Sequence, residues 1–214
     1  MPTQKKKIYV EMGEFKMAQL DKAQLETDEL SSCYVLCLYN EKNGIGGLFH
    51  VPSFPVNLKS MPRTTRSEAQ AWLIQQIPTE TMLQMQQMFK EVNPTKIRFV
   101  DGGYANQDSM FLGDDELKLS LKGQRAATNA FLQTLWSPSK GNYQENILVV
   151  GSSNMAVMTH NKNGDLLVSA TPINEYDSQF AESPDTSTKS PLLPNFKENQ
   201  QQTKSNTGSC CQLL

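Results

Sequence analysis

Short runs of apolar, β-branched and aromatic residues dominate both ends of the chain. Such runs favour β-strands, because alternate side chains face opposite sides of a sheet and these residue types pack well there. The last runs are separated by the turn sequences "GSSN" and "NKNG", which predict a three-stranded meander. The predicted strands are "IYVEMGEF" (8–15), "YVLCLYN" (34–40), "GGLFHV" (46–51), "KIRFV" (96–100), "NILVV" (146–150), "MAVMTH" (155–160) and "DLLVSAT" (165–171).

The middle of the chain follows a helical period instead. "RSEAQAWLIQQ" (66–76) opens with a predicted capping box from Ser67 to Gln70, and "GQRAATNAFLQTLW" (123–136) predicts a third helix. Between them, "TETMLQMQQMFKEV" (79–92) places an apolar stripe on one face, which is typical of core packing. Strands at both ends with helices between them predict an α+β fold, in which layered β-sheets are covered by helices on one side. The stripe consists of Met82, Met85, Met88, Phe89 and Val92.

The carboxyl-terminal segment differs in composition from the rest. From Asn174 onward it is rich in Ser, Thr, Pro, Asn, Gln and Lys and has no apolar periodicity. Such a segment buries too little surface to offset the entropy of ordering. We therefore predict one folded domain, 1–173, followed by a flexible tail, 174–214.

Charge and cysteine spacing exclude several classes of function. Twenty basic and twenty-two acidic residues give a formal charge of -2, so no basic surplus indicates nucleic-acid binding. The four cysteines do not have the spacing of a disulfide framework or a zinc site. We expect reduced thiols, no metal and no cofactor. A phosphate-binding G-x-x-x-x-G-K-[ST] segment is absent from the sequence, which argues against a small GTPase.

The segment "CYVLCLYN" followed by "IGGLFHV" brings thiols close to one of the two histidines of the chain. Cys33 and Cys37 share a face of the predicted strand. If residues 41–44 form the loop, His50 is the diagonal neighbour of Cys33. If Asn43 and Gly44 form a two-residue turn, Cys37 lies opposite His50 instead. A third interpretation is that both cysteines are buried apolar residues and His50 is a hydrogen-bonded core residue.

The surroundings of Cys33 favour a reactive role. Ser32 and Cys33 stand where the chain emerges from a turn, so their backbone N–H groups are candidates for binding an oxyanion. Glycines crowd the returning strand, where they indicate a bulge or a close approach. Gly102 and Gly103 are interpreted as a tight bend beside the site.

The other histidine, His160, is interpreted as an exposed turn residue.

The segment "TDELSSC" resembles the T-x-x-L-G-S-C segment of the chemoreceptor glutamine deamidases (CheD), with Ser31 at the glycine position. His50 follows Cys33 at the spacing of that family, and "NPTKIRFVDGGYANQDSM" and "KGQRAATNAFLQTL" are similar to later segments. The resemblance covers roughly residues 27–170. It implies a CheD-like sandwich in which Cys33 is the nucleophile, with its pKa lowered by a paired imidazolium of His50, and Thr27 orients His50.

The resemblance also implies a reaction, the hydrolysis of a protein glutamine side chain through a thioester. The same thioester serves two alternatives, hydrolysis of an amino-terminal asparagine and transglutamination. The related Cys-His group includes the cytotoxic necrotising factor toxins and amino-terminal asparagine amidohydrolases. An alternative of another class is a non-catalytic, prenylated binding module, which would tolerate loss of Cys33.

The last four residues, "CQLL", fit the C-a-a-X motif, and the final leucine favours geranylgeranylation of Cys211. One isoprenoid binds a membrane only marginally, so a second signal is expected, and the adjacent Cys210 is the candidate palmitoylation site. Prenylation requires a eukaryotic prenyltransferase, whereas the motif around Cys33 resembles bacterial enzymes. We therefore expect a secreted bacterial effector that acts on a host protein in the host cytosol and at a host membrane.

Overall fold

The computed structural model describes residues 5–30, 32–62, 65–102, 114–153, 155–161 and 163–170. Three strands come first, then a hairpin, two helices, a strand, a long helix and three more strands. The strands are β1 (Lys6–Tyr9), β2 (Phe15–Gln19), β3 (Ala23–Thr27), β4 (Tyr34–Asn40), β5 (Ile45–Val51), β6 (Lys96–Gly102), β7 (Ile147–Ser153), β8 (Ala156–His160) and β9 (Leu166–Ser169). The helices are α1 (Arg66–Gln75), α2 (Thr79–Val92) and α3 (Asp114–Leu135).

The strands form two sheets. One has five strands in the order β2-β5-β4-β6-β7, and the other has four in the order β1-β3-β8-β9. Most neighbours are antiparallel, but β6 pairs with β7 in parallel. Parallel pairing is possible here because α3 lies between the two strands in the sequence and carries the chain back.

Strand β4 shows how the layers are arranged, because its side chains alternate between two cores. Tyr34, Leu36 and Leu38 pack in one cluster with α2 residues such as Met88. Val35, Cys37 and Tyr39 belong to a second cluster with residues of the four-stranded sheet, such as Leu25. The five-stranded sheet is therefore covered by helices on one face and by the second sheet on the other. The mixed α+β architecture with two multi-stranded sheets is confirmed.

The predicted apolar stripe of α2 packs in the core as expected. Met85, Met88, Phe89 and Val92 are buried, and Met82 packs against the same cluster. The helix ends at Val92 and is capped by Asn93, which adopts the left-handed conformation that commonly terminates helices.

Two glycines of β5 explain the crowding seen in the sequence. A Cβ atom at Gly47 would lie 2.9 Å from Val92 Cγ2, and one at Gly46 would lie 2.6 Å from Leu20 Cδ1. The absence of a Cβ atom therefore lets α2 pack closely against Gly47, and lets Leu20, which precedes β3, pack closely against Gly46. Close approach, and not a bulge, is the reason for glycine at both positions.

The β4–β5 hairpin has the four-residue loop 41–44. Asn40 lies opposite Ile45, and Val35 lies opposite His50. Asn40 holds this loop, since its carbonyl accepts from Gly44 N–H (2.9 Å) and its side chain accepts from Lys42 N–H (3.0 Å). The alternative with a two-residue turn, which would place Cys37 opposite His50, is wrong.

Several local predictions are corrected. The three-stranded meander is wrong, because β7 joins the five-stranded sheet beside β6. Of the three strands predicted for the meander, only β8 and β9 pair with each other. The stretch 8–15 is not one strand, since β1 ends at Tyr9 and a turn precedes β2. The capping box at α1 is formed by Thr65 and Glu68 rather than by Ser67 and Gln70.

Other predictions concern residues that the structure does not describe. The boundary at 173, the tail 174–214, the lipidation candidates Cys210 and Cys211, and Gly103 lie outside the described residues. Of the helices that are described, none combines the length and apolar character needed to cross a bilayer.

Candidate active site

Thr27, Cys33 and His50 meet at one end of the sandwich, although they come from three elements. Thr27 is the last residue of β3, Cys33 immediately precedes β4, and His50 is the penultimate residue of β5. β3 belongs to the four-stranded sheet, whereas β4 and β5 are neighbours in the five-stranded sheet. The candidate site therefore depends on the packing of the two sheets against each other.

The hairpin register places Cys33 beside His50. Because Val35 lies opposite His50, Cys33 is the diagonal neighbour of the histidine on the same face. The Cys33 Sγ is 2.9 Å from the His50 Nε2, within hydrogen-bond distance. This is the geometry needed for a thiol to pass its proton to an imidazole.

Thr27 contacts the other ring nitrogen of the same histidine. Its Oγ1 lies 2.9 Å from the His50 Nδ1. When Nε2 accepts the thiol proton of Cys33, Nδ1 carries the hydrogen of the neutral ring and donates it to Thr27 Oγ1. The contact with Thr27 is compatible with the ring orientation and tautomer in which Nε2 acts as the base. All three side chains are buried, and Cys33 and His50 are 3% and 2% exposed.

Burial determines the charge of His50. Desolvation lowers the pKa of His50, and the nearby Asp28 carboxylate opposes that shift. The imidazole is therefore neutral near pH 7, so a permanent imidazolium that lowers the pKa of Cys33 is disfavoured. The site instead suits general-base activation, in which the neutral ring takes the thiol proton as the sulfur attacks.

Cys37 has a different environment, although it shares the strand face. It lies opposite Leu48 and Arg98, and burial raises the pKa of Cys37 to about 12, with the Arg98 guanidinium opposing the shift. A thiol of this kind is protonated and inert at neutral pH. Of the two candidate nucleophiles, only Cys33 contacts His50.

Neighbouring segments contact Cys33 at its carbonyl group and at its thiol. The Gly102 N–H at the end of β6 donates to the Cys33 carbonyl (2.9 Å). Glu29 adopts the left-handed conformation (φ 56°), which is uncommon for a residue other than glycine. Its carbonyl oxygen lies 3.9 Å from the Cys33 Sγ. Ser32 and Cys33 follow this turn, and the role of their N–H groups as oxyanion donors stays a prediction.

Sequence reasoning missed a turn that lies against His50. The Gly13 N–H donates to the His50 carbonyl (2.9 Å), and the His50 N–H donates to the Glu14 carbonyl (3.1 Å). It also missed Asp28, which accepts a hydrogen bond from the Tyr9 hydroxyl. The available signal for the turn was "EMGE", in which a glycine interrupts a predicted strand and a glutamate lies within two residues on each side.

His160 is not the exposed turn residue that the sequence suggested. It ends β8 and is half-buried, with its Nε2 2.6 Å from the Tyr39 hydroxyl. The His160 and Tyr39 rings also meet edge to face. His160 therefore connects the two sheets through Tyr39 of β4.

Comparison with models of known protein families and with curated proteins returns no significant match. Among the residues whose placement is described, no group of three or more His, Cys, Asp or Glu side chains could hold a metal ion. At this end of the sandwich, the described side chains bring together a thiol, an imidazole and a hydroxyl group.

Proposed function

We propose that the protein is a protein-glutamine deamidase with Cys33 as nucleophile, His50 as general base and acid, and Thr27 as the residue that orients His50. The observation that supports this most is the continuous chain of contacts from Cys33 Sγ through the imidazole to Thr27 Oγ1, with 2.9 Å at each step. A nucleophile, a base and an orienting group in this order form the arrangement used for covalent attack on amides.

In the first half-reaction, the Cys33 thiol gives its proton to His50 Nε2 as Sγ bonds to the carboxamide carbon of glutamine. Negative charge develops on the carboxamide oxygen, where the Ser32 and Cys33 N–H groups are the proposed donors. His50 then returns the proton to the departing nitrogen, which leaves as ammonia. The product is a thioester between Cys33 and the side-chain acyl group.

In the second half-reaction, His50 takes a proton from water as the water oxygen attacks the thioester carbon. The carbon–sulfur bond breaks, and the Cys33 sulfur recovers its proton from His50. Glutamate is released and the enzyme returns to its starting state. If a substrate amine replaced water, the same thioester would yield a cross-link, and an amino-terminal asparagine would enter the same first step.

The layered arrangement supports the finer fold proposal, a CheD-like sandwich. Two sheets pack face to face, helices cover the outer face of one of them, and the Cys-His pair sits where both sheets end together. This is the arrangement that the resemblance in "TDELSSC" implies.

We further propose that the protein is a bacterial effector that acts at a host membrane. "CQLL" would be recognised by a host prenyltransferase, which would attach geranylgeranyl to Cys211, and palmitate at Cys210 would provide the second anchor. Tethering would raise the local concentration of the enzyme around a membrane-bound host substrate.

The test of the activity is peptide mass spectrometry of host membrane proteins incubated with wild type, Cys33→Ala and Cys37→Ala. We expect conversion of a specific glutamine to glutamate by wild type and by Cys37→Ala, and none by Cys33→Ala. Cys37 is the matched control because it is equally buried and lies on the same strand face. Conversion by Cys33→Ala at the wild-type rate would exclude the mechanism. A cross-linked product would indicate transglutamination instead, and a converted amino-terminal asparagine would indicate an amino-terminal asparagine amidohydrolase.

The membrane anchor has a separate test, fractionation of eukaryotic cells that express the protein. We expect Cys211→Ser to abolish membrane residence and Cys210→Ser to weaken it, since one isoprenoid alone binds reversibly. Deamidation of a soluble glutamine peptide should be unchanged in both variants. A wild-type protein that stays soluble in cells with active prenyltransferase would overturn the proposed anchor.

A further inference from the structure

The turn formed by Glu11, Met12, Gly13 and Glu14 connects an edge strand of one sheet to an edge strand of the other at the end that holds Cys33 and His50. The Glu14 N–H donates to the Glu11 carbonyl (3.0 Å), and Gly13 has φ 84°, which defines a tight turn with Met12 at its tip. Gln84 of α2 donates to the Gly13 carbonyl (2.9 Å). The turn is thus anchored on both His50 and α2.

This turn exposes large apolar side chains beside the candidate active site. Met12 is 66% exposed, and Tyr9, just before the turn, is 44% exposed. The Tyr9 hydroxyl donates to Asp28, the residue after Thr27. Val10 follows Tyr9 in the sequence and is fully buried in the same core cluster as Cys33. We call Tyr9, Glu11, Met12, Asp28 and Glu29 the rim.

The charge of the rim is acidic. Glu11 and Glu29 are exposed, and neither they nor Asp28 form an ion pair within the described part of the chain. The neighbouring lysines serve other carboxylates, since Lys16 pairs with Glu14 (3.1 Å) and Lys7 with Glu26 (3.6 Å). The Lys16 ammonium also donates to the Tyr9 carbonyl (2.9 Å), but its ion-pair partner is Glu14. Among the described residues, the rim therefore presents three carboxylates without an ion-pair partner beside the exposed Met12 and Tyr9.

We propose that the rim is the substrate-docking surface, and that it binds a flexible segment of the substrate protein in which the target glutamine is flanked by a lysine or arginine and by an apolar residue. The inference rests on the proposed function, because it names the substrate class of the same site. The basic side chain complements the carboxylates of Glu11, Asp28 and Glu29. The apolar side chain covers Met12 and Tyr9, an adaptable thioether and an aromatic ring.

The charge preference can be tested without the deamidation reaction, by using charged thiol reagents that react at Cys33. The probes are a trimethylammonium and a sulfonate form of the same methanethiosulfonate, and the quantity measured is the ratio of their rates at Cys33. Glu29→Lys changes the charge by two units, which at a distance of ~10 Å in water and low salt should lower the cation-to-anion ratio about tenfold. The effect should shrink strongly at high salt, because the charges are exposed.

Glu91→Lys is the matched control, since Glu91 is an exposed carboxylate on α2 and not part of the rim. We expect its ratio to remain close to that of wild type. An unchanged ratio in Glu29→Lys, or an equal decrease in Glu91→Lys, would overturn the proposal.

Two peptides that differ only in having lysine or glutamate beside the same glutamine test the substrate class. We expect wild type to deamidate the lysine peptide with about tenfold higher kcat/KM at low salt, and Glu29→Lys to lose that preference. Met12→Ser should raise KM for both peptides and leave kcat unchanged. Equal kcat/KM for the two peptides overturns docking on the rim and leaves the deamidase proposal standing. If neither peptide is deamidated while the reagent ratio falls as expected, the deamidase proposal fails and the selectivity of the rim for cationic ligands stands.

Discussion

The two histidines of the chain both connect the two sheets, at different places in the sandwich. His50 belongs to the five-stranded sheet and contacts Thr27 of the four-stranded sheet. His160 belongs to the four-stranded sheet and contacts Tyr39 of the five-stranded sheet. Burial lowers the pKa of both imidazoles. By strand position and pKa shift alone, neither histidine stands out.

The partner groups separate the two sites. The second ring nitrogen of His50 meets a thiol, Cys33, which is nucleophilic once its proton is removed. The partner of His160 is the phenol of Tyr39, and burial raises the pKa of that phenol, so proton loss is disfavoured. A hydrogen-bonded histidine between sheets is thus a structural feature, and it becomes a candidate catalytic group only when a nucleophile occupies its other side.

The largest expected contrast is in activity. Cys33→Ala and His50→Ala should each lower the deamidation rate by at least about 10³-fold, because each removes one member of a unit that acts together. His160→Ala should keep the rate within about threefold, since a contact distant from the chemistry affects it only indirectly. The measurement is the initial rate of glutamate formation on a glutamine peptide. Equal losses of deamidation rate in His50→Ala and His160→Ala would contradict a catalytic role for His50 and a purely structural role for His160.

The next contrast compares the two groups that hold the rings. Thr27→Val keeps the shape of the side chain and removes the oxygen that contacts His50 Nδ1, so the ring loses its orientation and kcat should fall about 10- to 100-fold. Tyr39→Phe removes the corresponding partner of His160 and should leave kcat unchanged. Thr27→Ser, which keeps the oxygen, should restore most of the activity. A Thr27→Val enzyme with full kcat would show that Thr27 is only a core residue.

A smaller contrast concerns pH. Since the pKa of His50 is lowered by burial, the ring stays neutral as the pH falls through the ordinary histidine value of about 6.5. The rate of Cys33 alkylation should therefore decline only below that value. Asp28→Asn removes the charge that raises the pKa of His50 and should move the decline to still lower pH. Asp165→Asn, which removes a carboxylate that raises the pKa of His160, should leave the profile unchanged. A decline of the Cys33 rate centred above about pH 7 would contradict a buried neutral base.

The smallest contrast is one of stability. Tyr39→Phe removes a hydrogen bond of 2.6 Å between the sheets, which should lower the free energy of unfolding by about 0.5–1.5 kcal/mol. Urea unfolding at neutral pH measures this change. A loss several times larger would mean that the packing of the two sheets depends on the contact between His160 and Tyr39, and that its contribution exceeds that of one ordinary hydrogen bond.

The sequence predicted the parts of the fold that have strong periodicity. The α2 stripe and strands such as β4 were identifiable because their apolar positions repeat at the expected spacing. β2 and β3 were missed because "FKMAQ" and "AQLET" mix charged and apolar residues, and they are strands through pairing with β5 and β8. The placement of β7 was wrong because a turn sequence after a strand does not reveal which sheet the strand joins.

The candidate site was predictable in its residues but not in its geometry. The alternation of side chains and the spacing of Cys33 and His50 left two hairpin registers open. The choice between them depends on Asn40, whose main chain and side chain hold the four-residue loop. The neutral state of His50 depends on burial between the sheets. The rim was not predictable, since the segment after β1 comes beside the segment after β3 only when these two strands pair.

The most direct test of the Cys33–His50 pair is site-resolved alkylation at pH 7 with a small neutral haloacetamide, followed by peptide mass spectrometry. In wild type, Cys33 should be labelled at least about 100-fold faster than Cys37, whose protonated thiol is inert. His50→Ala should slow the labelling of Cys33 at least about tenfold, and His160→Ala should leave it unchanged. Equal labelling of Cys33 and Cys37 in wild type, or a Cys33 rate that does not change in His50→Ala, would show that the pair is a buried contact without catalytic chemistry.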